Sequence, residues 1–229
     1  MEAVKLRLPG DNDFFTEEAY KVLRTNLQFC GQDVKVIAIT SCNENDGKTT
    51  VALHIAKSFA ELDKRVLLID ADMRKSVMAG RNTSAQSHSG LSEVLTGMCP
   101  ITECLYPVVN SKMHILFAGQ YPPNPVELLN GKYFAALINE CRKVYDYIII
   151  DTPPLGQVID AAVVAEKCDG AVMVLGNSKV HYRMAQEVIE QIKKSGCKML
   201  GVVRNNRKQS NRKYYYRKYY HHDSKSKKK

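Results

Sequence analysis

The stretch VKVIAITSCNENDGKTTVAL, residues 34–53, changes from one periodicity to another, and that change decides the fold. Its first seven residues, 34–40, form a nearly continuous apolar run, which predicts a strand buried on both faces. Val51, Ile55 and Phe59 then recur at helical spacing, with alanines between them. A polar turn joins the two segments. A strand, a turn and a helix in this order predict a parallel sheet that is covered by helices.

Similar apolar runs recur along the chain and predict the rest of the sheet. The further candidate strands are residues 65–70, 113–119, 145–151, 169–176 and 197–205. Helical patterns cover residues 16–29, 125–144 and 181–196, and the polar stretch 81–90 predicts a loop. We therefore predict an α/β fold with a mostly parallel sheet and helices on both faces.

The turn SCNENDGKTT, residues 41–50, ends like a phosphate-binding loop. In the pattern GxxxxGK[ST], backbone N–H groups cradle the phosphates, the lysine reaches the β and γ oxygens, and the hydroxyl binds magnesium. The end of the turn fits this pattern, whereas Cys42 stands where the first glycine is usual. A helix N-terminus follows the loop and favours an anion. The predicted nucleotide-binding residues of the loop are Asp46, Gly47, Lys48, Thr49 and Thr50.

Three carboxylates stand at the ends of apolar strands. Asp70 and Asp72 end the run LLIDADMRK, and residues two apart on an extended chain point the same way. Asp151 ends the run IIIDTPP. The carboxyl ends of parallel strands form the ligand crevice of an open α/β sheet, where a magnesium ion and phosphates offset such charges. The loop and the carboxylates together predict a site for ATP and Mg²⁺.

The composition is that of one globular domain. The chain has 229 residues, of which 45% are hydrophobic, and no run approaches the roughly 18 apolar residues of a membrane span. The N-terminus lacks the apolar segment of a signal peptide. The seven cysteines include no CxxC pair, which favours reduced thiols over disulfides or zinc ligands. We predict a cytoplasmic protein.

The C-terminal tail carries the charge. Residues 204–229 hold eleven Lys or Arg and one Asp, a charge of +10, so the formal +9 of the chain leaves −1 for residues 1–203. Five tyrosines lie among these cations and have no apolar company that would bury them, which predicts a solvated, disordered tail. These tyrosines are Tyr214, Tyr215, Tyr216, Tyr219 and Tyr220. A basic segment with interleaved aromatics also suits nucleic acid or an anionic membrane, and composition does not choose among these.

The motifs carry a family resemblance. NENDGKTT, LLIDADMRK and IIIDTPP resemble the Walker A, A′ and B motifs of bacterial tyrosine kinases, the P-loop enzymes that accompany capsular and exopolysaccharide assembly. GLSEVLTG at 90–97, AGQYPPNPVELL at 118–129 and the tyrosine tail extend the resemblance. It implies a P-loop NTPase-like kinase domain at 34–205, an N-terminal segment with an oligomerisation helix at 1–33, and a basic tyrosine-rich tail at 206–229.

The resemblance also implies roles for the site residues. Lys48 clamps the β and γ phosphates, and Thr49, Asp72 and Asp151 support the magnesium ion. Asp70 is the implied acceptor of the tyrosine proton. Which carboxylate is the base stays open, because groups this close titrate together. The position of Asn205 in GVVRNNR resembles the family's purine-contacting position, although an asparagine after a strand is equally typical of a turn.

The two ends of the chain are implied to act in assembly. The five tail tyrosines are the implied phosphoacceptors, presented in trans to the next subunit of a ring. Tyr20, Leu23 and Leu27 fall at i, i+3 and i+7, which predicts an amphipathic helix that packs on its own domain. The polar side of that helix is similar to the family's ExxRxxR oligomer motif, with lysine replacing the first arginine. Its residues are Glu18, Lys21 and Arg24.

The implied partners follow the same resemblance. Because no transmembrane run precedes the kinase motifs, the chain resembles the form in which the kinase and a membrane-embedded activator, a polysaccharide co-polymerase, are separate chains. A cytoplasmic protein held at the inner face of the membrane through that activator is expected, with a cognate tyrosine phosphatase and no nucleic-acid partner.

The sequence departs from the family pattern and leaves rival hypotheses. Glu44 and Asn45 replace a usual Pro-Gly pair, and Ser76 replaces a usual proline. One alternative is a positioning ATPase of the ParA and MinD kind, although those proteins have a lysine where this chain has Asn43 and lack a tyrosine cluster. A nucleic-acid-binding arm on a nucleotide-binding scaffold is the other.

Overall fold

A twisted sheet organises the structure. The computed structural model of the chain describes residues 3–6, 8, 13–81, 89–176 and 180–205. Within this part of the chain, seven strands form one sheet in the order β3-β4-β2-β5-β1-β6-β7. The strands are β1 (Val36–Ser41), β2 (Val66–Asp70), β3 (Tyr106–Pro107), β4 (Met113–Leu116), β5 (Tyr147–Asp151), β6 (Gly170–Leu175) and β7 (Met199–Arg204). All neighbouring strands pair in parallel except the short β3, which is antiparallel to β4.

Helices cover both faces of the sheet. They are α1 (Phe14–Phe29), α2 (Lys48–Ala60), α3 (Leu91–Leu95), α4 (Ile101–Cys104), α5 (Pro125–Asn130), α6 (Lys132–Val144), α7 (Asp160–Ala165) and α8 (Tyr182–Lys194). In β1, Val36 and Ala38 pack with α3 and α5 to α8, whereas Ile37 and Ile39 pack with α1 and α2. Alternate residues of a buried strand thus enter two separate cores, which explains its continuous apolar sequence.

The six predicted strands and the two-sided covering of helices are confirmed, with two corrections. The edge strand β3 was not predicted, because two residues that include a proline leave no periodic pattern. The segment 125–144 is not one helix. It divides at Gly131, whose ψ of 158° is extended, into α5 and α6. Glycine weakens a helix interior, so a break at this residue is physically reasonable.

The N-terminal helix packs on its own domain, as predicted. Leu27 is buried, and Tyr20 and Leu23 pack against the core that α2 contributes to. The Tyr20 ring stacks on the ring of His54 in α2, with centroids 4.4 Å apart. Asp13 caps the helix by accepting from the Thr16 backbone N–H. Among the described residues, no helix combines the length and apolar character that a bilayer crossing needs.

Candidate active site

The loop between β1 and α2 is shaped to present its backbone to an anion. Gly47, with a φ of 91°, precedes the first residue of α2, Lys48. A glycine is needed here for two reasons: the φ is left-handed, and a Cβ would lie 2.0 Å from the Asn205 Nδ2. The buried Asp46 carboxylate accepts from the Asn43 N–H at 3.0 Å and so closes the loop on itself. The first N–H groups of α2, which have no partner within the helix, therefore face a cleft between this loop and the loop after β2.

Lys48 forms a buried ion pair at this cleft. Its Nζ lies 2.9 Å from the Asp72 Oδ2, and the two side chains are only 11% and 5% exposed. Burial lowers the pKa of Lys48, but the charges of Asp151, Asp72 and Asp70 outweigh burial and leave the pKa above its ordinary value. The lysine is therefore charged and is held at the carboxyl edge of the sheet.

Asp70 and Asp151 lie side by side at the ends of β2 and β5. The strand register pairs the two residues directly, and both are almost fully buried. Burial and the neighbouring Asp151 raise the pKa of Asp70 to about 8, although a hydrogen bond from Ser76 opposes the rise. The Ser76 hydroxyl donates to the Asp70 Oδ2, and the Asp72 N–H donates to the Oδ1 at 3.1 Å. Two carboxylates this close in a buried site favour a cationic ligand.

The carboxylate of Asp151 has capacity for such a ligand. Its Oδ1 is buried and makes no hydrogen bond to any described residue. Burial raises its pKa, while Lys48 and a hydrogen bond with Thr49 lower it. The described residues contain no cluster of three or more His, Cys, Asp or Glu that would cage a metal. Mg²⁺ is usually held by one or two carboxylates with phosphates and water rather than by such a cage, so these residues fit that ion.

Two further ion pairs, each formed by a cation of the loop after β2, lie beside the cleft. The Arg74 Nε lies 2.8 Å from the Asp160 Oδ2, and its Nη2 donates to the Oδ1 at 3.2 Å. Asp160, the first residue of α7, is fully buried. Across the mouth of the cleft, the Lys75 Nζ pairs with Glu44 at 2.7 Å. These contacts connect the loop after β2 to α7 on one side and to the phosphate loop on the other.

The predicted residues Asp46 to Thr50, Asp70, Asp72 and Asp151 are brought together, and Asn205 joins them. The Asn205 Nδ2 donates to the Asp46 carbonyl at 3.0 Å. Its backbone N–H donates to the Leu175 carbonyl at 2.7 Å. Asn205 thus lies over the phosphate loop. The predicted contact of Asn205 with a purine stays a prediction, and the described contact of its side-chain amide is with the loop backbone.

The three residues of the predicted oligomer motif lie on α1. The Lys21 Nζ pairs with Glu18 at 2.7 Å within the helix. The Arg24 Nη1 donates to the Ser58 carbonyl at 2.6 Å and to the Ser58 hydroxyl at 3.1 Å, so this arginine contacts α2 of its own domain. The five tail tyrosines lie outside the described residues, as does most of the predicted loop 81–90.

Two site residues were missed by the sequence reasoning. Ser76 was noted only as a replacement for proline, yet it contacts Asp70. Asp160 was not noticed at all, and it binds Arg74 from 86 positions away. An isolated aspartate at a helix start is most often a cap or a first-turn acid, so nothing in the pattern could have indicated this contact.

The fold and the site together define a class. A phosphate loop at a helix N-terminus, with carboxylates at adjoining strand ends of a parallel sheet, defines a P-loop nucleotide-binding α/β protein.

A family model described as an AAA domain matches residues 34–198. A tyrosine-protein kinase CpsD of Streptococcus pneumoniae is 42% identical over 189 residues, 82% of this chain and 83% of that protein. Tyrosine-protein kinase YwqD of Bacillus subtilis is 34% identical over 195 residues, 83% of this chain and 81% of that protein. The chain therefore belongs to the bacterial tyrosine-protein kinase family.

Solved structures agree with this assignment. The kinase domain of the Escherichia coli tyrosine kinase ETK matches with a TM-score of 0.79 at 29% identity, over 85% of this chain and 78% of that chain. The cell division ATPase MinD of Pyrococcus furiosus matches with a TM-score of 0.64 at 23% identity, over 78% of this chain and 74% of that chain. A likeness at that identity shows the fold alone. The positioning ATPase shares the architecture and fits less well than the kinase.

Proposed function

We propose that this tyrosine kinase transfers the γ-phosphoryl group of ATP to the tyrosine cluster in the tail of a neighbouring copy. The observation that carries the proposal is the placement of Asp70 beside Asp151, next to the Lys48–Asp72 pair and the phosphate loop. A proton acceptor is thereby buried at the carboxyl edge of the sheet, close to the cation that lines the cleft. The same chain carries five tyrosines among eleven cations at its end.

Each site residue has a part that its position supports. Phosphoryl transfer needs positioning and charge stabilisation more than covalent chemistry. The Lys48 ammonium weakens its ion pair with Asp72 and binds the β and γ phosphates of ATP. The N–H groups from Gly47 to Thr50 bind the oxygens that bridge these phosphates. Asp70 accepts the phenolic proton in its ionised form, in which the carboxylate has four lone-pair positions and its two described donors leave room for a third.

A magnesium ion, when bound, would supply positive charge that offsets the charge of the ATP phosphates. Thr49, Asp72 and Asp151 would hold it, and the unpartnered Asp151 Oδ1 supports that assignment. Asn205 has a different part. Since its amide binds the Asp46 carbonyl, we assign it to the support of the phosphate loop, alongside any contact with the base.

The length of the tail permits transfer between subunits. From Arg204 to Tyr214 the chain spans at most about 33 to 36 Å, which is enough to reach the cleft of an adjacent copy. Each phosphate adds about −1.5 to −2 charges, so five phosphates nearly cancel the +10 of the tail. Phosphorylation would thus convert a cationic segment, attracted to a carboxylate-rich cleft, into one that is released.

The wider setting rests on the family resemblance. We propose that the chain acts in capsular or exopolysaccharide synthesis and export, in a ring of copies at the inner face of the membrane. Glu18, Lys21 and Arg24 would contribute to the ring, a membrane-embedded co-polymerase chain would activate the kinase, and a tyrosine phosphatase would reverse the reaction. Arg24 would have to serve the ring while it remains bound to Ser58.

The experiment is intact mass spectrometry of the purified chain after incubation with Mg²⁺ and ATP. Wild type is compared with Lys48→Met and with a variant whose five tail tyrosines are phenylalanine. Successive phosphate additions to wild type alone support the proposal. A chain that releases ADP without becoming modified would favour the positioning ATPase and overturn the proposal. Addition of the cytoplasmic segment of a co-polymerase distinguishes a missing activator from a missing activity.

A further inference from the structure

Two cysteines, Cys99 and Cys104, lie in contact at α4. Cys99 precedes α4 and Cys104 ends it, and their Sγ atoms are 2.7 Å apart. A disulfide bond is about 2.05 Å long, so the two sulfurs need to approach by less than about 1 Å to form one. The short α4 lies between the two residues and thus fixes the backbone that joins them.

The two thiols differ in exposure. Cys104 is fully buried and donates its S–H to the Cys99 sulfur. Burial, and then this hydrogen bond, raises the pKa of Cys104 to about 12, so Cys104 keeps its proton. Cys99 is half-buried, and its Sγ lies 4.0 Å from the Glu103 carboxylate. Cys99 is therefore the sulfur that a small oxidant reaches first.

The structure assigns an oxidation site to this pair: we propose that a hydroperoxide converts Cys99 and Cys104 into an intrachain disulfide. With hydrogen peroxide, Cys99 releases its proton to solvent and its sulfur attacks one peroxide oxygen; the O–O bond breaks, and the leaving hydroxide takes up a proton from solvent to become water. The Cys104 thiol then attacks the sulfenic sulfur of Cys99. The S–S bond forms, the S–O bond breaks, and the hydroxyl leaves with the Cys104 proton as a second water. Two thiols lose two electrons, and one peroxide gains them.

The surroundings hold the pair away from the kinase site. The N–H groups of Met98 and Cys99 donate to the Glu93 carbonyl at 2.9 and 3.2 Å, which fixes the turn that carries Cys99. Neither cysteine lines the nucleotide cleft. The oxidation site is thus separate from the phosphoryl-transfer residues, and disulfides in a reducing compartment are typically transient and redox-sensing. It does not depend on the function proposed above.

The test uses the full-length wild-type chain and a hydrogen peroxide titration. After each step the chain is unfolded in urea with a maleimide present, which blocks the remaining thiols, buried ones included, and the chain is digested with trypsin. Cleavage after Arg81 and after Lys112 leaves residues 82–112 as one peptide that contains both cysteines. We expect this peptide to lose two hydrogens and both labels at a peroxide level that leaves half-buried Cys30 labelled. Dithiothreitol should restore both labels.

Cysteine variants provide the controls. In Cys99→Ser the two-hydrogen loss should disappear, and Cys104 should stay labelled because it is buried without its partner. In Cys30→Ser, the matched control, the loss should persist. The proposal is overturned if peptide 82–112 keeps both labels at a peroxide level that oxidises Cys30. It is also overturned if the two cysteines of this peptide gain oxygen instead of losing hydrogen, or if a non-reducing gel shows only disulfides between chains.

Discussion

The Lys48 ammonium lies 2.9 Å from the Asp72 carboxylate, so the cation that would bind phosphate is held by a carboxylate at the carboxyl edge of the sheet. An incoming phosphate group competes with Asp72 for this cation, and a bound magnesium ion would compensate the carboxylate. Nucleotide and metal are therefore expected to bind together, since either one alone leaves a buried charge without its counterpart.

Lys48→Met should lower the initial rate of tail phosphorylation by about 100-fold or more, because it removes a preorganised cation from the transferred phosphate. Labelled ATP measures the rate. Lys143→Met is a matched control, since Lys143 lies exposed on α6 and pairs there with the exposed Glu140. Its rate should equal that of wild type. A Lys48→Met chain that folds and phosphorylates at the wild-type rate contradicts the assignment.

Transfer between copies should be visible by mixing two inactive chains. Lys48→Met has a tail and no working site, whereas the five-phenylalanine variant has a site and no tail acceptor. With Mg²⁺ and ATP, we expect phosphate only on the Lys48→Met chain, and only in the mixture. Intact mass separates the two chains. If the mixture stays unmodified while wild type is phosphorylated at a rate independent of concentration, transfer occurs within one chain.

Asp160→Asn should destabilise the domain by about 1–3 kcal/mol, because it weakens a charged hydrogen-bond pair whose acceptor is buried. The rate should fall as well, since Arg74 follows Asp72 by two positions. Urea unfolding measures the stability. Asp63→Asn is the control: Asp63 pairs with Lys112 at the surface, and asparagine tolerates its φ of 64°. Its effect should stay below about 1 kcal/mol. Equal losses of unfolding free energy in the two variants would show that the burial of Asp160 adds nothing to the strength of its ion pair.

Asp169 should make stability depend on pH. Burial would raise its pKa, but Arg142 and the backbone N–H groups of Val36 and Lys35 outweigh burial and lower the pKa below its ordinary value. The ionised form stabilises the folded state, so its contribution is present above the unfolded pKa of about 3.9 and is lost as pH falls through the folded pKa. Urea unfolding of wild type and Asp169→Asn should differ at neutral pH and converge in acid. A difference that stays constant down to acid pH would exclude this contribution.

The sheet was predictable because each buried strand carries its own pattern. Residues 34–40 and 145–151 are apolar at nearly every position, since two cores contact alternate residues. The phosphate loop was predictable from Gly47, Lys48 and Thr49 despite Cys42, because the elements on either side set its geometry. The carboxylates Asp70 and Asp151 could be placed together since both end parallel strands.

The remaining contacts depend on tertiary distances that no local pattern contains. Asp160 meets Arg74 only after α7 is docked on the sheet, and Ser76 meets Asp70 only because the loop after β2 turns back. The break at Gly131 was hidden by good helical spacing on both sides of it. The contact of Cys99 with Cys104 was hidden too, because a spacing of five residues is not a recognised disulfide or metal pattern.

A hydrogen bond fixes Asn205, the residue that precedes the basic segment, to the phosphate loop. Asn205 is the last residue that the structure describes before the basic segment, and its side chain is tied to the Asp46 carbonyl. Asn205 directly follows β7, so this hydrogen bond connects the C-terminal end of β7 to the phosphate loop. A movement of the loop on nucleotide binding would therefore be transmitted to the backbone at the end of β7.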